Sequence, residues 1–496
     1  MSIVVYILIS GVECDSVTQS ATYGRILTIS LSSVPLDGTL PTSIGNFQFL
    51  TTMRLSECRI SGPIPTSLGN LSSLINLDLV SNSLIGPLPD TFGSLTNLRN
   101  LSVAENYFSG SIPSILFNMT SLTSIDLSHC SLSGTIPNAI SALTLLETIS
   151  LHGNYLTGLI PPSFGNLLSL THFDMSYNKL IGPLPDTISA LTKLRVLDIS
   201  GNPFGGTIPS FLFSMTSLVE LSMNYCTLFG TLPNATIVLI SLQVLNLHGN
   251  SLTGLIPTSF GNLLSLTILN LSTDNLFGPI PDTISALTKL RVLDIGRNRL
   301  SGPIPSFIGS MTSLVEIVMD RCSFSGTIPS SFSALTSLEM LLVDSNSLSG
   351  SIPTTFGNLL SLVVLNLSLN YLIGPIPDTI GALTKFRALE MSSNFLTGTI
   401  PSSMSRLTSL TEIVLGSNSL TGTIPSLSAL TSLEYLDLRN NYLTMGSSTS
   451  VPTSTFSSAT LNGILRLEDN CLVFSTSSPY PSRSETATHC RLTSKY

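Results

Sequence analysis

The sequence predicts an α/β solenoid, a stack of 24-residue coils wound as a curved right-handed superhelix. A parallel β-sheet lines its concave side, and short 3-10 or irregular segments form the convex side. Three observations predict it. First, the tetrapeptide Gly-x-[Ile/Leu]-Pro recurs every 24 residues from Gly38 to Gly422, seventeen times without a slipped residue. A fixed period of this size marks a repeat architecture in which each coil buries its apolar side only against its neighbours. Second, the hexapeptide Gly-Pro-[Leu/Ile]-Pro-Asp-Thr starts at Gly86, Gly182, Gly278 and Gly374, so the chain grew by copying blocks of four coils. Third, each coil carries a Leu-x-Leu alternation, the mark of a short strand with one face inward.

Composition narrows the partners. Only 10% of the 496 residues are charged, against about 25% in an ordinary soluble domain. The exterior must therefore be built from Ser, Thr, Asn and Gly, which calls for attached glycans or for burial in an assembly. A net charge of −8 without basic runs argues against nucleic acid and anionic membrane. The unbroken period from residue 24 to 446 makes one elongated domain the expectation.

Taken in order, the chain opens on an apolar run, Ile3 to Ile9. It has the look of a truncated signal-peptide core without a basic flank and is far too short for a bilayer, which needs about 20 apolar residues. Then come Gly11-Val12-Glu13-Cys14-Asp15 and Gly24-Arg25-Ile26. Residues 24–446 repeat the pattern seen at Leu191, Leu194, Leu197, Ile199, Asn202, Phe204, Gly206, Ile208 and Pro209. The Asn closing each strand is expected to turn its amide inward and satisfy backbone groups of adjacent coils. Glycine permits a bend closed to other residues, and the marker's proline is expected to fix φ and stop the turn continuing as helix.

These motifs resemble the plant-type extracellular leucine-rich repeat family, including receptor-like ectodomains and polygalacturonase-inhibitor-like wall proteins. In that family a Gly-Val-x-Cys cap precedes the first repeat, so residues 1–23 read as a partial amino-terminal cap. The cap's usual earlier cysteine and tryptophan are missing, which leaves the pairing of Cys14 open and suggests that the true amino terminus is missing or misassigned. The resemblance implies peptides, proteins or polysaccharides as ligands.

Cys58, Cys130, Cys226 and Cys322 stand where the strand-closing Asn should be, and Val34 and Asp274 are the other departures. The last three cysteines are four coils apart, about 19 Å at the strand spacing, so they read as structural substitutions rather than metal or redox groups. After Asn441, Ser, Thr and Pro crowd residues 447–460. A final strand with Leu465, Leu467 and Asn470 runs into Cys471. Cys471 and Cys490 are expected to form a disulfide closing a carboxyl-terminal cap within residues 447–496, worth about 3 kcal/mol and implying an oxidising compartment. Sequons at Asn70, Asn100, Asn118, Asn234, Asn270 and Asn366 point the same way.

No catalytic constellation is present, since none of the five histidines has a nucleophile in a supporting motif, and no cofactor or metal is expected. Attention falls on the concave positions six, four, two and one before the strand-closing residue, plus the one after it. Between blocks these diverge: His172, Asp174, Ser176, Tyr177 and Lys179 become Ile268, Asn270, Ser272, Thr273 and Asn275. A binding face would diverge in this way, and so would a surface free of packing constraint. The candidate ligand residues are Tyr107, His129, His152, Tyr155, His172, Tyr177, Tyr225 and His248, because tyrosine offers a large apolar area and one hydroxyl at low entropic cost. Arg297, Arg299, Asp320, Arg321 and Asp344 read as a mutually neutralised surface. The expected function is extracellular recognition, in a secreted or cell-surface protein with no membrane span, of a protein, peptide or polysaccharide. The alternative is a structural glycoprotein that self-assembles into filaments or a coat.

Overall fold

Every coil begins with a strand of about three residues, because the Leu-x-Leu pair supplies one inward apolar face. The computed structural model describes residues 12–14, 26–234, 239–444 and 464–470. They fall into two units, Met1–Leu252 and Thr253–Tyr496, each with its own part of the repeat.

In the first unit the main strands run in parallel and in register at a constant offset of 24 residues. His172–Asp174 pairs with Thr148–Ser150 on one side and with Val196–Asp198 on the other. Val12–Cys14 adds antiparallel to Ile26–Ser32. In the second unit the strands from Ile268–Asn270 to Tyr435–Asp437 repeat the arrangement. The residue missing after Gly422 appears there as a register offset, Glu412 opposite Tyr435.

Leu191, Leu194, Leu197 and Ile199 of one coil are all at most 1% exposed, and Phe164 stacks on Phe173 at 4.8 Å. Removing one such leucine side chain costs about 2–5 kcal/mol. The strand-closing Asn behaves as its chemistry predicts. Asn202 is fully buried. Its Nδ2 donates to the carbonyls of Met175, Ile199 and Ser200 at 2.9–3.1 Å, and its Oδ1 accepts the Leu180 N–H at 3.0 Å. One side chain thereby satisfies four groups that no water could reach.

Cysteine keeps only part of this. Cys226 Sγ still donates to the Ile199 carbonyl at 3.3 Å, but a thiol is a poor acceptor. The Phe204 N–H, which an Asn at 226 would take, turns instead to the Asn202 carbonyl. Burial pushes the Cys226 thiol up to about 12 and those of Cys130 and Cys322 to about 11. All four ladder cysteines are free thiols, and a thiol that does not ionise is unreactive. Cys471 and Cys490 lie outside the described residues.

The marker's proline opens a turn rather than stopping one. Pro185, at φ −68° and ψ 135°, sits just before the 3-10 turn Asp186–Ala190. Ile188 N–H bonds Pro185 O, and Leu191 N–H bonds Ile188 O. The five residues close with i to i+3 bonds because that tighter turn fits the short span. A second strand set flanks the main sheet, represented by Ser133–Thr135, Tyr155–Gly158 and Lys179–Leu180. The residue after the ladder Asn starts this flank strand and does not belong to the main strand.

Candidate binding face of the first unit

The residue before each ladder position, whether Asn or Cys, takes the left-handed conformation. His129, Tyr177 and Tyr225 lie there at φ 48°, 52° and 54°, which costs an L-residue about 1–2 kcal/mol. The turn is held from the next coil: Tyr177 N–H bonds the Ser200 carbonyl at 2.7 Å, and His129 and Tyr225 make the equivalent bonds. A side chain in this position leaves the strand and lies toward the following coil.

In three coils that neighbour is glycine. A Cβ on Gly153 would stand 2.8 Å from His129 Nδ1, one on Gly201 2.9 Å from Tyr177 Cδ1, and one on Gly249 2.6 Å from Tyr225 Cδ1. Each ring therefore occupies space that only glycine leaves open, and each glycine also adopts a positive φ. The aromatic–glycine pair repeats every two coils. Tyr177 and Tyr225 are nonetheless 52% exposed, so each ring packs on its glycine and still presents about half of its surface.

One imidazole, that of His152, bridges two of these rings, and a second, that of His248, packs on the third. His152 meets His129 edge-on at 4.5 Å and Tyr177 at 5.3 Å. Tyr225 meets His248 at 4.8 Å, its hydroxyl 2.7 Å from Nε2. His152 Nδ1 is 2.6 Å from Ser176 Oγ, which donates its proton to Asp174 Oδ1 at 2.6 Å. A hydroxyl has one proton to give, so His152 Nδ1 is the donor and Nε2 is left for a ligand. Asp174 and Asp198 stand opposite each other on adjacent strands. Burial raises the pKa of Asp198 above the usual carboxylate range. The Ser200 hydrogen bonds and His152 pull it down, and the Asp174 charge pushes it up again.

The predicted residues thus separate. His129, His152 and Tyr177 form one chain of rings and Tyr225 with His248 another, while His172 begins its strand and contacts Thr171 Oγ1 at 2.9 Å. Tyr107 and Tyr155 start flank strands instead, and Lys179 Nζ lies 5.0 Å from the centre of the Tyr155 ring. Ser176, expected to be exposed, is 1% exposed, and Ser272 and Ser368 are similarly buried; the strand ends at residue 174 and the chain turns inward before the alternation can continue. Sequence reasoning alone misses Gly153, Gly201 and Gly249. Their signal is an aromatic residue followed 24 positions later by glycine, three times over. Among the described residues no group of His, Cys, Asp and Glu could hold a metal ion.

The repeat can be set beside known proteins. Leucine-rich repeat profiles match residues 96–156, 144–204, 240–300 and 385–443 and residues 49–71, 73–95, 313–335, 337–359, 361–383 and 432–456. The ectodomain of the Arabidopsis receptor kinase HAESA, solved with an amino-terminally extended IDA peptide hormone, is 31% identical over 93% of this chain and 80% of its own, with a TM-score of 0.81. The chain belongs to the plant-type leucine-rich repeat family. The plant peptide hormone receptor RGFR1, solved in complex with RGF2, is 29% identical over 94% of this chain and 83% of its own, TM-score 0.78. A leucine-rich repeat protein of Leptospira interrogans is 27% identical over 77% of this chain and 88% of its own, TM-score 0.61. No curated protein matches by sequence. Among the described residues no helix of this repeat protein is long and apolar enough to cross a membrane.

Two expectations about charge and glycans meet the structure. In the second unit Arg297 and Arg321 both reach Asp320, at 3.3 and 3.8 Å, a self-neutralising cluster. Asn70 and Asn118 are exposed at the ends of 3-10 turns. Asn270 and Asn366 are half-buried, and their Oδ1 atoms accept the N–H groups of Ser272 and Ser368.

Proposed function

We propose that this protein is an extracellular recognition module that binds an extended peptide, or an exposed peptide segment of a larger protein, on the ring-lined face of its first unit. The observation that carries the reading is the set of exposed rings, His129, Tyr177 and Tyr225, each immobilised over a glycine. Ordering a side chain at an interface costs about 0.5–1.5 kcal/mol, and here that cost is met before a ligand arrives. Solved relatives in complex with IDA and RGF2 peptides support a peptide over a polysaccharide. The sequons Asn70 and Asn118, exposed and away from the main strands, are the proposed glycan carriers.

The test is selection of a phage-displayed random dodecapeptide library on the full-length protein, with plant cell-wall polysaccharides as the competing probe. Enrichment of peptides whose binding falls at least tenfold in the Tyr177→Ser/Tyr225→Ser variant is expected. Binding of polysaccharide with no enriched peptide would overturn the reading. Serine already occupies the same left-handed position at Ser81, Ser345 and Ser393, so the variant keeps a backbone this chain tolerates.

A further inference from the structure

We infer that the occupant of this face is a polyproline II segment with proline at every third residue and a basic residue between prolines, lying across the strands along the row of rings. The inference rests on the peptide reading above and names the peptide's conformation and chemistry.

Three features converge on it. The first is spacing. His129, Tyr177 and Tyr225 recur every two strands of a ladder whose register is constant, which places successive rungs about 9.5 Å apart. A polyproline II helix has three residues per turn and rises about 3.1 Å per residue, so it presents the same face about every 9.3 Å. An extended β segment alternates faces every residue and would need to skip between rungs. From the first ring to the third the row covers about 19 Å, the length of about six polyproline II residues.

The second feature is ring geometry. A ring with one face against a glycine offers its other face as a flat, rigid platform, and aromatic platforms are the recurrent way of holding proline rings. Glycine at 153, 201 and 249 sets that orientation: any other residue would place a Cβ inside the ring's contact distance. These glycines are positioning residues that act through the rings and need not touch the ligand.

The third feature is what lies between the rungs. Polyproline II makes no internal hydrogen bonds, so its carbonyls and N–H groups must find partners. His152, held by Ser176 through Nδ1, has Nε2 available between the first and second rungs. Asp174 and Asp198 lie on adjacent main strands at the second rung, and Asp198 is half-buried there. Two neighbouring carboxylates of which one is partly withdrawn from water are complementary to a Lys or Arg side chain. Spacing therefore specifies the prolines, and charge specifies a basic residue beside the second rung, which Pro-basic-polar triplets supply in any register of the peptide.

The experiment uses the full-length protein and two labelled synthetic nonapeptides of identical composition, followed by fluorescence anisotropy. One carries Pro-Lys-Ser three times. The other places its three prolines two residues apart. The triplet peptide is expected to bind at least tenfold more tightly. Replacing its lysines by serine should weaken it severalfold, and should do so far less in the Asp174→Asn/Asp198→Asn variant. Gly201→Ser should weaken the triplet peptide at least fivefold while lowering the thermal melt by only a few degrees, the cost of one strained left-handed residue. Added to Tyr177→Ser it should cause no further loss, because the glycine works through that ring. Equal binding of the two nonapeptides overturns the polyproline II inference while library peptides still selected on this face keep the peptide reading. Absence of binding by both nonapeptides, at concentrations where library peptides bind, overturns it equally. Failure of library peptides and nonapeptides together overturns both.

Discussion

Residues 172–178 of the first unit and their copies at 268–274 and 364–370 of the second share a backbone and little of a surface. In all three the residue before the ladder position is left-handed, Tyr177 at φ 52°, Thr273 at 57° and Leu369 at 56°, and the central strand residues Phe173, Leu269 and Leu365 are buried. Yet one coil later the first unit has Gly201 where the copies have Arg297 and Ser393. A ring over a glycine thus belongs to the first unit. The difference teaches that the coil is fixed by its buried leucines, ladder amide and left-handed turn. The turn then displays whatever side chain it is given, and a rigid platform arises only when two positions 24 residues apart change together.

The comparison can be broken first in the shared framework, where the effects are largest. Asn202→Ala should cost about 3 kcal/mol in urea denaturation, since it strands buried partners of one amide. Asn202→Cys should cost roughly half of that, because a thiol can keep the donor bond seen at Cys226. Gly165→Ala should follow at about 1–3 kcal/mol, because its Cβ would stand 2.5 Å from the Thr187 carbonyl oxygen of the next coil. Equal, negligible losses for all three framework changes would remove the distinction between scaffold and surface.

The display positions should move stability little. Tyr177→Ser and Tyr225→Ser are each expected to stay within about 0.5 kcal/mol of the parent in denaturation while lowering peptide binding. The converse change sharpens the contrast. Thr273→Tyr with Arg297→Gly should install a ring over a glycine in the second unit at a cost of about 1 kcal/mol, since the lost arginine is the exposed partner of a buried carboxylate and Asp320 keeps Arg321 at 3.8 Å. It should also add weak peptide binding there.

The smallest effect is on pH dependence. Burial raises Asp198 above its unfolded value, which is about 3.9, so between those two values the folded chain holds more protons than the unfolded one. Stability should therefore rise slightly as pH falls into that window. Binding of a cationic peptide should weaken across the same range. Asp198→Asn should flatten both slopes, which is checked by denaturation and anisotropy over an acid titration.

Much of the fold is legible in the amino-acid sequence. The period locates each buried leucine and each ladder position, because a solenoid repeats its packing problem in every coil and the answers recur at fixed spacing. The ladder cysteines are legible as substitutions for the same reason. Tyr107, Tyr155 and Ser176 are misplaced when strand alternation is carried past the strand's end; it stops after three residues, at Asp174, where a left-handed turn follows. That turn leaves a weak local signal, since Ser, Glu, His, Tyr, Thr, Arg and Leu all occupy it. The aromatic–glycine pairs escape notice for a different reason: the two residues are distant in sequence and meet only because the coils stack in register.

The most direct test of the account is amide hydrogen exchange on the full-length protein with and without a library-selected peptide. The account predicts added protection in the turns around residues 126–130, 150–154, 174–178, 198–202 and 222–226, with residues 268–274 and 364–370 unchanged. Equal protection of the copies, or protection confined to the flank strands at Tyr107 and Tyr155, would contradict it.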